Sequence, residues 1–401
     1  MKPLIRVPAG DVPAFTAQLR DALFFDEAAL AVLPVAGTAE PTADEHVAAF
    51  VPDDVALVVE TSGSTDAPKR VMLTSAALRA SAGATERWFG GSPGQWLLAL
   101  PATYIAGVQV LVRSLVGGTT PAVMPQGGFT PDAFVEAART MDPDLPWLTS
   151  LVPVQLARLV EAAADDRSVR AALGSFERIL LGGQAAPAGL VERAADLGAR
   201  VHRTYGSSET AGGCVYDGHA LPGVGVRVVD GEVQLSGPML ASGYLDDPER
   251  TAAAFTTDGD GTRWYRTGDL GELVPDAESP GDRAFERLRI TGRADDVIIS
   301  GGVKVALGEV ERAVRSVAGY AGAVVLAVAD PEWGERPAVV VERADAAASV
   351  IPDELALLAA ATDAAGLPPA GRPVRVLVLE RMPLLASGKP DRRALAELVP
   401  G

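Results

Sequence analysis

The chain has 401 residues, 48% of them apolar, and a formal net charge of −17 at pH 7. The length points to two or three domains and the apolar content to folded cores, while the negative charge excludes nucleic-acid binding driven by bulk electrostatics. A single cysteine, Cys214, excludes an internal disulfide framework and a Cys-rich zinc site. The longest apolar run, Tyr320–Ala329, is shorter than the ~20 residues that cross a bilayer as a helix. Met1–Arg6 lacks the apolar core of a signal peptide, so a soluble cytoplasmic protein without membrane insertion is expected.

In chain order, Val55–Val59 predicts a strand ending in a Gly/Ser/Thr loop, and Trp96–Leu100 a second strand closed by Pro101. A helix at about 106–116 and a strand at 122–124 follow. Helical periodicity covers 131–141 and 152–163, with a strand at 147–149 between them. Ile179–Leu181 reads as a strand running into Gly182-Gly183, then a helix near 188–197 leads to Val201 and a loop at 205–210. Strands that end in polar, Gly-rich loops before helices define α/β sheet layers, whose ligands gather at the carboxyl ends of the strands. From about 221 to 292 the pattern becomes β-rich, beginning with a hairpin over 226–235 that turns at Asp230-Gly231. Short strands and a polar loop at 274–283 follow. Beyond Gly292-Arg293 the order is a short strand, a helix at 307–317, strands at 321–329 and 337–343, a helix at 353–365 and a strand at 374–380. The division is a large N-terminal region, 1–294, with an α/β part to about 220 and the β-rich module at about 221–292. A smaller α+β C-terminal unit, 295–401, follows.

Only four of the 35 basic residues are lysines: Lys2, Lys69, Lys304 and Lys389. Where arginine is the default, a lysine marks places that need a compact ammonium. Lys69 ends the hydroxyl-rich segment Thr61–Lys69, whose backbone N–H groups and hydroxyls suit phosphate oxygens, although the Walker A spacing is absent. In Tyr205–Thr210 an aromatic ring can stack on a base, and Gly206 permits close backbone approach. Glu209 among hydroxyls suits Mg²⁺ held together with phosphate. Asp269, in a Gly turn, can accept from ribose hydroxyls, and Arg293 can bridge ribose and phosphate. Lys389 follows Gly388 ahead of a helix. Arg113 lies inside the apolar helical stretch Val108–Leu115, where an unpaired guanidinium is costly and calls for an anion. Taken singly, each of these residues reads equally well as a turn or surface residue; their order along the chain is the specific signal. Cys214 has no local activating base and reads as a packing residue.

These segments together resemble the acyl-adenylate-forming enzymes: acyl-CoA synthetases, luciferases and adenylation domains of peptide synthetases. Thr61–Lys69 is similar to their phosphate-binding loop, with Asp66 where glycine is usual. Tyr205–Thr210 is similar to their aromatic-Gly-x-x-Glu-Thr motif. The resemblance implies that Thr61, Ser62, Gly63, Ser64, Thr65, Lys69, Gly206 and Ser207 bind ATP. It sets Tyr205 against adenine, with Gly183 and Gln184 across the base, and Asp269 and Arg293 at the ribose. Glu209 and Thr65 are then the Mg²⁺ contacts, and Thr210 lies beside the α-phosphate and the reacting carboxylate. Lys389 stands in the family's Ser-Gly-Lys motif as the adenylation lysine. Asp295 falls on the hinge of a mobile C-terminal domain. Ser300–Lys304 is similar to the glycine-rich stretch of the second half-reaction, which implicates Gly301, Gly302 and Lys304 with coenzyme A.

Only some 50 residues precede the phosphate loop, fewer than is usual, so a reduced N-terminal subdomain is expected. Short members of this kind resemble the o-succinylbenzoate–CoA ligases of menaquinone synthesis, through Leu100–Gly107, Thr149–Leu156 and Tyr205–Tyr216. That resemblance implies catalysis by Lys389, Thr65, Glu209 and Thr210, with ATP, Mg²⁺ and CoA as cofactor and co-substrates. It assigns the acid's second carboxylate to Arg113 and Tyr104, the latter standing where many relatives have histidine. Another aryl- or alkyl-CoA ligase, a carrier-protein adenylation enzyme and a non-catalytic nucleotide-binding scaffold remain alternatives at this point. Small molecules are the expected partners; the sequence fixes no oligomeric state, and a homodimer is compatible with it.

Overall fold

The computed structural model describes residues 1–25, 31–39, 47–61, 69–125, 128–187, 189–276, 286–343, 353–385 and 389–399. The phosphate-loop residues Ser62, Gly63, Ser64, Thr65 and Asp66 lie outside this set, as do Ser387 and Gly388.

The chain begins with β1 (Lys2–Pro8), α1 (Val12–Phe24), β2 (Ala31–Val35) and β3 (Val47–Val51). β4 (Val55–Thr61) and β5 (Lys69–Thr74) then pair antiparallel, Thr61 opposite Lys69, so the two ends of the phosphate loop are held side by side. The five strands and a later one, β15, form a six-stranded sheet in the order β15-β5-β4-β2-β1-β3. Val55–Val59 in its centre are fully buried, as expected of an apolar strand covered on both faces.

The second layer contains α2 (Ser75–Trp88), β6 (Gln95–Leu98), α3 (Ile105–Val116), β7 (Ala122–Val123) and α4 (Pro131–Ala138). It continues through β8 (Trp147–Leu151), α5 (Pro153–Asp165), α6 (Arg167–Ser175), β9 (Phe176–Leu181), α7 (Leu190–Asp196) and β10 (Val201–Ser207), and closes with β11 (Gly212–Tyr216) and β12 (His219–Ala220). The resulting seven-stranded sheet runs β12-β11-β10-β9-β8-β6-β7, with all its pairs parallel except the two that β11 makes with β10 and β12. α2 touches β4, β5 and β11, and α3 touches β6, β8 and β11, so both helices are layered between the two sheets. Thr74 Oγ1 caps α2 by accepting from Ala77 N at 3.0 Å. The other face of the seven-stranded sheet is covered by α4–α7, around Phe134, Leu156, Leu173 and Phe176.

The β-rich part contains β13 (Gly225–Val229), β14 (Glu232–Ser236), β15 (Gly243–Tyr244), α8 (Pro248–Ala254), β16 (Phe255–Thr257), β17 (Arg263–Pro275) and β18 (Glu286–Arg293). Asp230 and Gly231 both have positive φ, 52° and 83°, as a two-residue hairpin turn requires. The C-terminal unit follows as β19 (Val297–Ser300), β20 (Val303–Ala306), α9 (Leu307–Arg315), β21 (Val324–Asp330), β22 (Gly334–Glu342), α10 (Glu354–Ala364), β23 (Arg375–Leu379) and α11 (Arg392–Leu398). Its sheet has its own apolar clusters, one around Val310, Tyr320 and Leu358 and one around Leu326, Met382 and Leu395. Among the described residues no core cluster crosses residue 297. The units meet where Arg312 Nη2 donates to the carbonyls of Ile290 and Thr291, at 3.2 and 2.9 Å. There Gly308 also faces Gly292: a Cβ at Gly308 would lie 3.1 Å from the Gly292 Cα.

Several sequence expectations need correction. Tyr205–Ser207 and Tyr265–Leu270 are not loops; they belong to β10 and β17, because backbone pairing with β11 and with β14 continues through them. β17 is a 13-residue strand rather than one of several short ones. The helix expected over 131–141 ends at Ala138. The single short strand expected after 295 is the β19–β20 hairpin. The segment before β4 supplies three strands to the first sheet.

Candidate active site

The centre of the site is the sharp link from β10 to β11. Ser208–Thr210 make one 3₁₀ turn, and Ala211 then takes a left-handed φ of 49°. A Cβ at Gly206 would lie 2.2 Å from the Gly212 carbonyl oxygen, so the backbone crossing admits only glycine. Thr210 Oγ1 donates to Gly212 O at 2.7 Å and accepts from Ser207 N at 2.9 Å, which locks the turn.

This turn buries Glu209, whose relative exposure is 6%. The Tyr244 hydroxyl donates to Glu209 Oε1 at 2.8 Å, and Ala241 N donates to the Glu209 carbonyl at 2.8 Å. Tyr244 lies on β15, directly opposite Val71 of β5, so Glu209 is tied to the strand that leaves the phosphate loop. Burial, reinforced by the charge of Glu209, pushes the Tyr244 phenol well above its ordinary pKa and keeps it a donor. Glu209 has no ion pair with any described residue, and no group of three potential metal ligands occurs among those residues. A buried carboxylate without a basic partner is electrostatically incomplete. It fits Mg²⁺ shared with phosphate oxygens, with Glu209 as the protein's carboxylate. Tyr244 was not legible in the sequence. Tyr244→Phe is expected to raise the Mg²⁺ concentration for half-maximal pyrophosphate release about tenfold, the equivalent of one hydrogen bond to a charged group. A lower melting temperature with unchanged Mg²⁺ dependence would make Tyr244 a packing residue only.

The second cluster joins β10, β17 and β18. The Tyr205 hydroxyl donates to Asp269 Oδ2 at 2.7 Å, and Arg293 Nη1 donates to Asp269 Oδ1 at 3.0 Å. Asp269 and Arg293 are register partners across β17 and β18. Gly268, with φ of +70°, turns the chain so that Asp269 faces Tyr205. Arg293 also donates from Nε to Asp295 Oδ1 at 2.7 Å, at the point where the C-terminal unit begins. Burial raises the Asp269 pKa against the opposing pull of Tyr205 and Arg293. The carboxylate, phenol and guanidinium form one network of the kind that fits ribose hydroxyls and a phosphate.

Lys389 extends from the C-terminal unit to this region. A Cβ at Gly183, whose φ is +88°, would lie 3.7 Å from Lys389 Cε. The surrounding protein withdraws its ammonium partly from water even though the residue remains exposed. Together with the nearby Arg293 this lowers its pKa, and Asp269 works the other way. Gln184 follows Gly183 on the same segment, half-buried. Lys69 is half-buried and contributes to the field at Asp295. The contacts of the Gly301–Lys304 tip stay within the C-terminal unit: Gly301 N donates to Trp333 O at 2.8 Å, and exposed Lys304 pairs across the hairpin with Ile299. The structure therefore brings Lys389, and not the Gly301–Lys304 tip, to the Asp269–Arg293 cluster.

Arg113 is buried on α3, at 7% exposure. Its guanidinium lies 4.9 Å from the centroid of Trp96, and Nη2 donates to the Tyr216 hydroxyl at 3.4 Å. No carboxylate among the described residues pairs with it, and Nε has no partner among them. Desolvation lowers its pKa. Tyr104 sits at the N-cap of α3, where its carbonyl accepts from Gly107 N and Val108 N, both at 3.0 Å. Cys214 is buried, with its thiol pushed up to about 12, so no thiolate forms there near neutral pH.

A glycine-pinned turn carrying a buried acid, a ribose-type Asp–Arg pair and a lysine presented by a separate C-terminal unit together define a nucleotide-activating enzyme. Residues 12–245 match the AMP-binding enzyme family and residues 309–389 its C-terminal domain, and the chain belongs to this family. It is 38% identical to the probable 2-succinylbenzoate–CoA ligase of Mycobacterium tuberculosis, over 88% of this chain and 86% of that protein. Among solved structures it resembles an Escherichia coli MenE variant with bound OSB-AMS, with a TM-score of 0.73, 26% identity and coverage of 100% of this chain and 88% of that one. It also resembles the o-succinylbenzoate CoA synthetase MenE of Bacillus subtilis in complex with ATP and magnesium ion, with a TM-score of 0.69, 26% identity and coverage of 91% and 75%.

Proposed function

We propose that this protein is an ATP-dependent acid–CoA ligase that converts o-succinylbenzoate to o-succinylbenzoyl-CoA in menaquinone biosynthesis. Similarity to 2-succinylbenzoate–CoA ligases supports the reaction. The observation that supports a dicarboxylic acid is buried Arg113, a cation with no carboxylate among the described residues.

In the first half-reaction one carboxylate of the acid attacks the α-phosphorus of ATP in line. The bond to the pyrophosphate oxygen breaks, leaving acyl-adenylate and pyrophosphate. Such a step needs positioning and charge neutralisation more than covalent help from the protein. Lys389 neutralises charge at the α-phosphate and the entering carboxylate, while Thr210 orients them. Asp269 and Arg293 hold the ribose, Tyr205 meets the adenine, and Gly183 and Gln184 line its other side. Thr61 and Lys69 flank the phosphate loop, to which Ser62, Gly63, Ser64 and Thr65 belong. Glu209 and Thr65 would hold Mg²⁺, which would supply charge neutralisation for the triphosphate and the leaving pyrophosphate. Arg113 and Tyr104 receive the carboxylate that does not react. In the second half-reaction the C-terminal unit turns about Asp295, withdraws Lys389 and delivers Gly301, Gly302 and Lys304 with CoA. The thiol gives up its proton to water, its sulfur attacks the acyl carbon, and the bond from that carbon to the phosphate oxygen breaks to release AMP. The enzyme works in the cytoplasm on small molecules, as a monomer or a homodimer.

The test is release of AMP and pyrophosphate with ATP, Mg²⁺ and CoA across o-succinylbenzoate, benzoate, 2-substituted benzoates and fatty acids. Turnover with o-succinylbenzoate alone is expected. Turnover with a different acid keeps the mechanism and discards the substrate; ATP binding without turnover of any acid discards both.

A further inference from the structure

Helix α3 carries a second buried polar side chain, one turn before Arg113. Gln109 is 1% exposed, and neither its Oε1 nor its Nε2 has a hydrogen-bond partner among the described residues. Both ends of one fully buried carboxamide are thus unsatisfied, and the neighbouring Arg113 Nε is a third orphan. Buried amides without partners oppose folding, so they are rare unless something outside the chain completes them.

The position of Gln109 indicates what completes it. Gln109 and Arg113 are four residues apart on α3 and share one helix face. That face meets β11 at two residues which are themselves four apart, Gly212 and Tyr216. A Cβ at Gly212 would lie 3.3 Å from Gln109 Cγ, and Arg113 Nη2 reaches the Tyr216 hydroxyl. Gly212 is also the residue whose carbonyl accepts from Thr210. Gln109 therefore lies between the threonine next to the reacting carboxylate and the buried arginine deeper along the helix.

We infer that Gln109 is a specificity-determining residue for the acid: its Nε2–H donates to the carboxylate that is not activated, beside Arg113. A carboxylate has two oxygens, and Gln109 Nε2 and Arg113 Nε supply a donor for each. A monocarboxylic acid of the same shape leaves the amide and the guanidinium unpaired. Selection against it arises from that penalty, as in sites built to hydrogen-bond a substrate group. This inference rests on reading the acid as a dicarboxylate.

The experiment compares wild type with Gln109→Leu, which keeps the volume and removes both orphan atoms. The substrates are o-succinylbenzoate and its two monocarboxylate analogues, each lacking one carboxyl group. For Gln109→Leu, KM for o-succinylbenzoate is expected to rise about tenfold, while kcat and the KM for ATP stay near wild type. The preference for the dicarboxylate over the accepted analogue falls by the same factor, and the melting temperature is not lowered. Gln109→Glu, which sets a negative charge against the carboxylate, loses more of that preference. The inference is overturned if the folded Leu variant keeps its preference, or if activity on all acids and on ATP falls equally. If wild type accepts neither o-succinylbenzoate nor its analogues, the assigned substrate fails on its own. The same KM comparison, made with the acid that is accepted, then decides Gln109 separately.

Discussion

The Lys389→Ala enzyme is expected to form acyl-adenylate about 100- to 1,000-fold more slowly than wild type, yet to convert supplied acyl-adenylate and CoA to thioester at close to the wild-type rate. The size is that of removing one preorganised charge from a developing transition state. The selectivity follows from geometry. Lys389 stands over Gly183 and beside Arg293 and Asp269, whereas the Gly301–Lys304 tip makes its contacts inside the C-terminal unit. Without nucleotide, partial desolvation and the Arg293 charge hold the ammonium below its ordinary pKa. A phosphate beside it reverses that penalty, so the lysine is stabilised most when the triphosphate is present. Single-turnover assays of each half-reaction check this. Equal loss in both removes Lys389 from the chemistry.

Arg113→Met is expected to lower kcat/KM for o-succinylbenzoate by about 10- to 100-fold, the worth of a hydrogen-bonded charge, while the melting temperature changes little. Two opposing effects set the stability. The variant loses the stacking of the guanidinium on Trp96, about 0.5–2 kcal/mol. It also removes a buried cation with no carboxylate beside it, and apolar replacement of buried charge is often neutral or stabilising by about 1–4 kcal/mol. Thermal melting together with steady-state kinetics on o-succinylbenzoate decides the matter. A destabilised enzyme with unchanged kcat/KM would make Arg113 a structural residue held by Trp96 and Tyr216.

The α/β layers and the order of the site segments were legible because each is local. A strand followed by a hydroxyl-rich loop, or an aspartate in a glycine turn, is written in a few consecutive residues. What escaped depended on distant pairing. β1, β2 and β3 are short strands whose order in the sheet is set by partners elsewhere in the chain. Tyr205 and Tyr265–Leu270 look like loops from composition, yet neighbouring strands extend the ladder through them. Tyr244 meets Glu209 only because β15 pairs with β5, a contact between residues about 170 positions apart. Gln109 did carry a local signal, a polar residue between Val108 and Val110 in a buried helix. A neutral amide contrasts less with its apolar neighbours than the charge of Arg113 does.

Gly292 and Gly308 face each other where the β-rich part meets the C-terminal unit, with no side chain from either glycine between them. The joint works as a bearing: two bare backbones can slide where interlocked side chains would catch. Polar fastenings across it include the exposed Arg312 bonds to two carbonyls and the Arg293–Asp295 pair, each of which water can replace at a cost of about 1 kcal/mol. If the C-terminal unit turns about Asp295 as proposed, neither of its orientations would then be strongly locked by the protein itself. In the proposed cycle the energy that selects between them would come from whichever nucleotide occupies the cleft, so the stage of the reaction would set the posture of the enzyme.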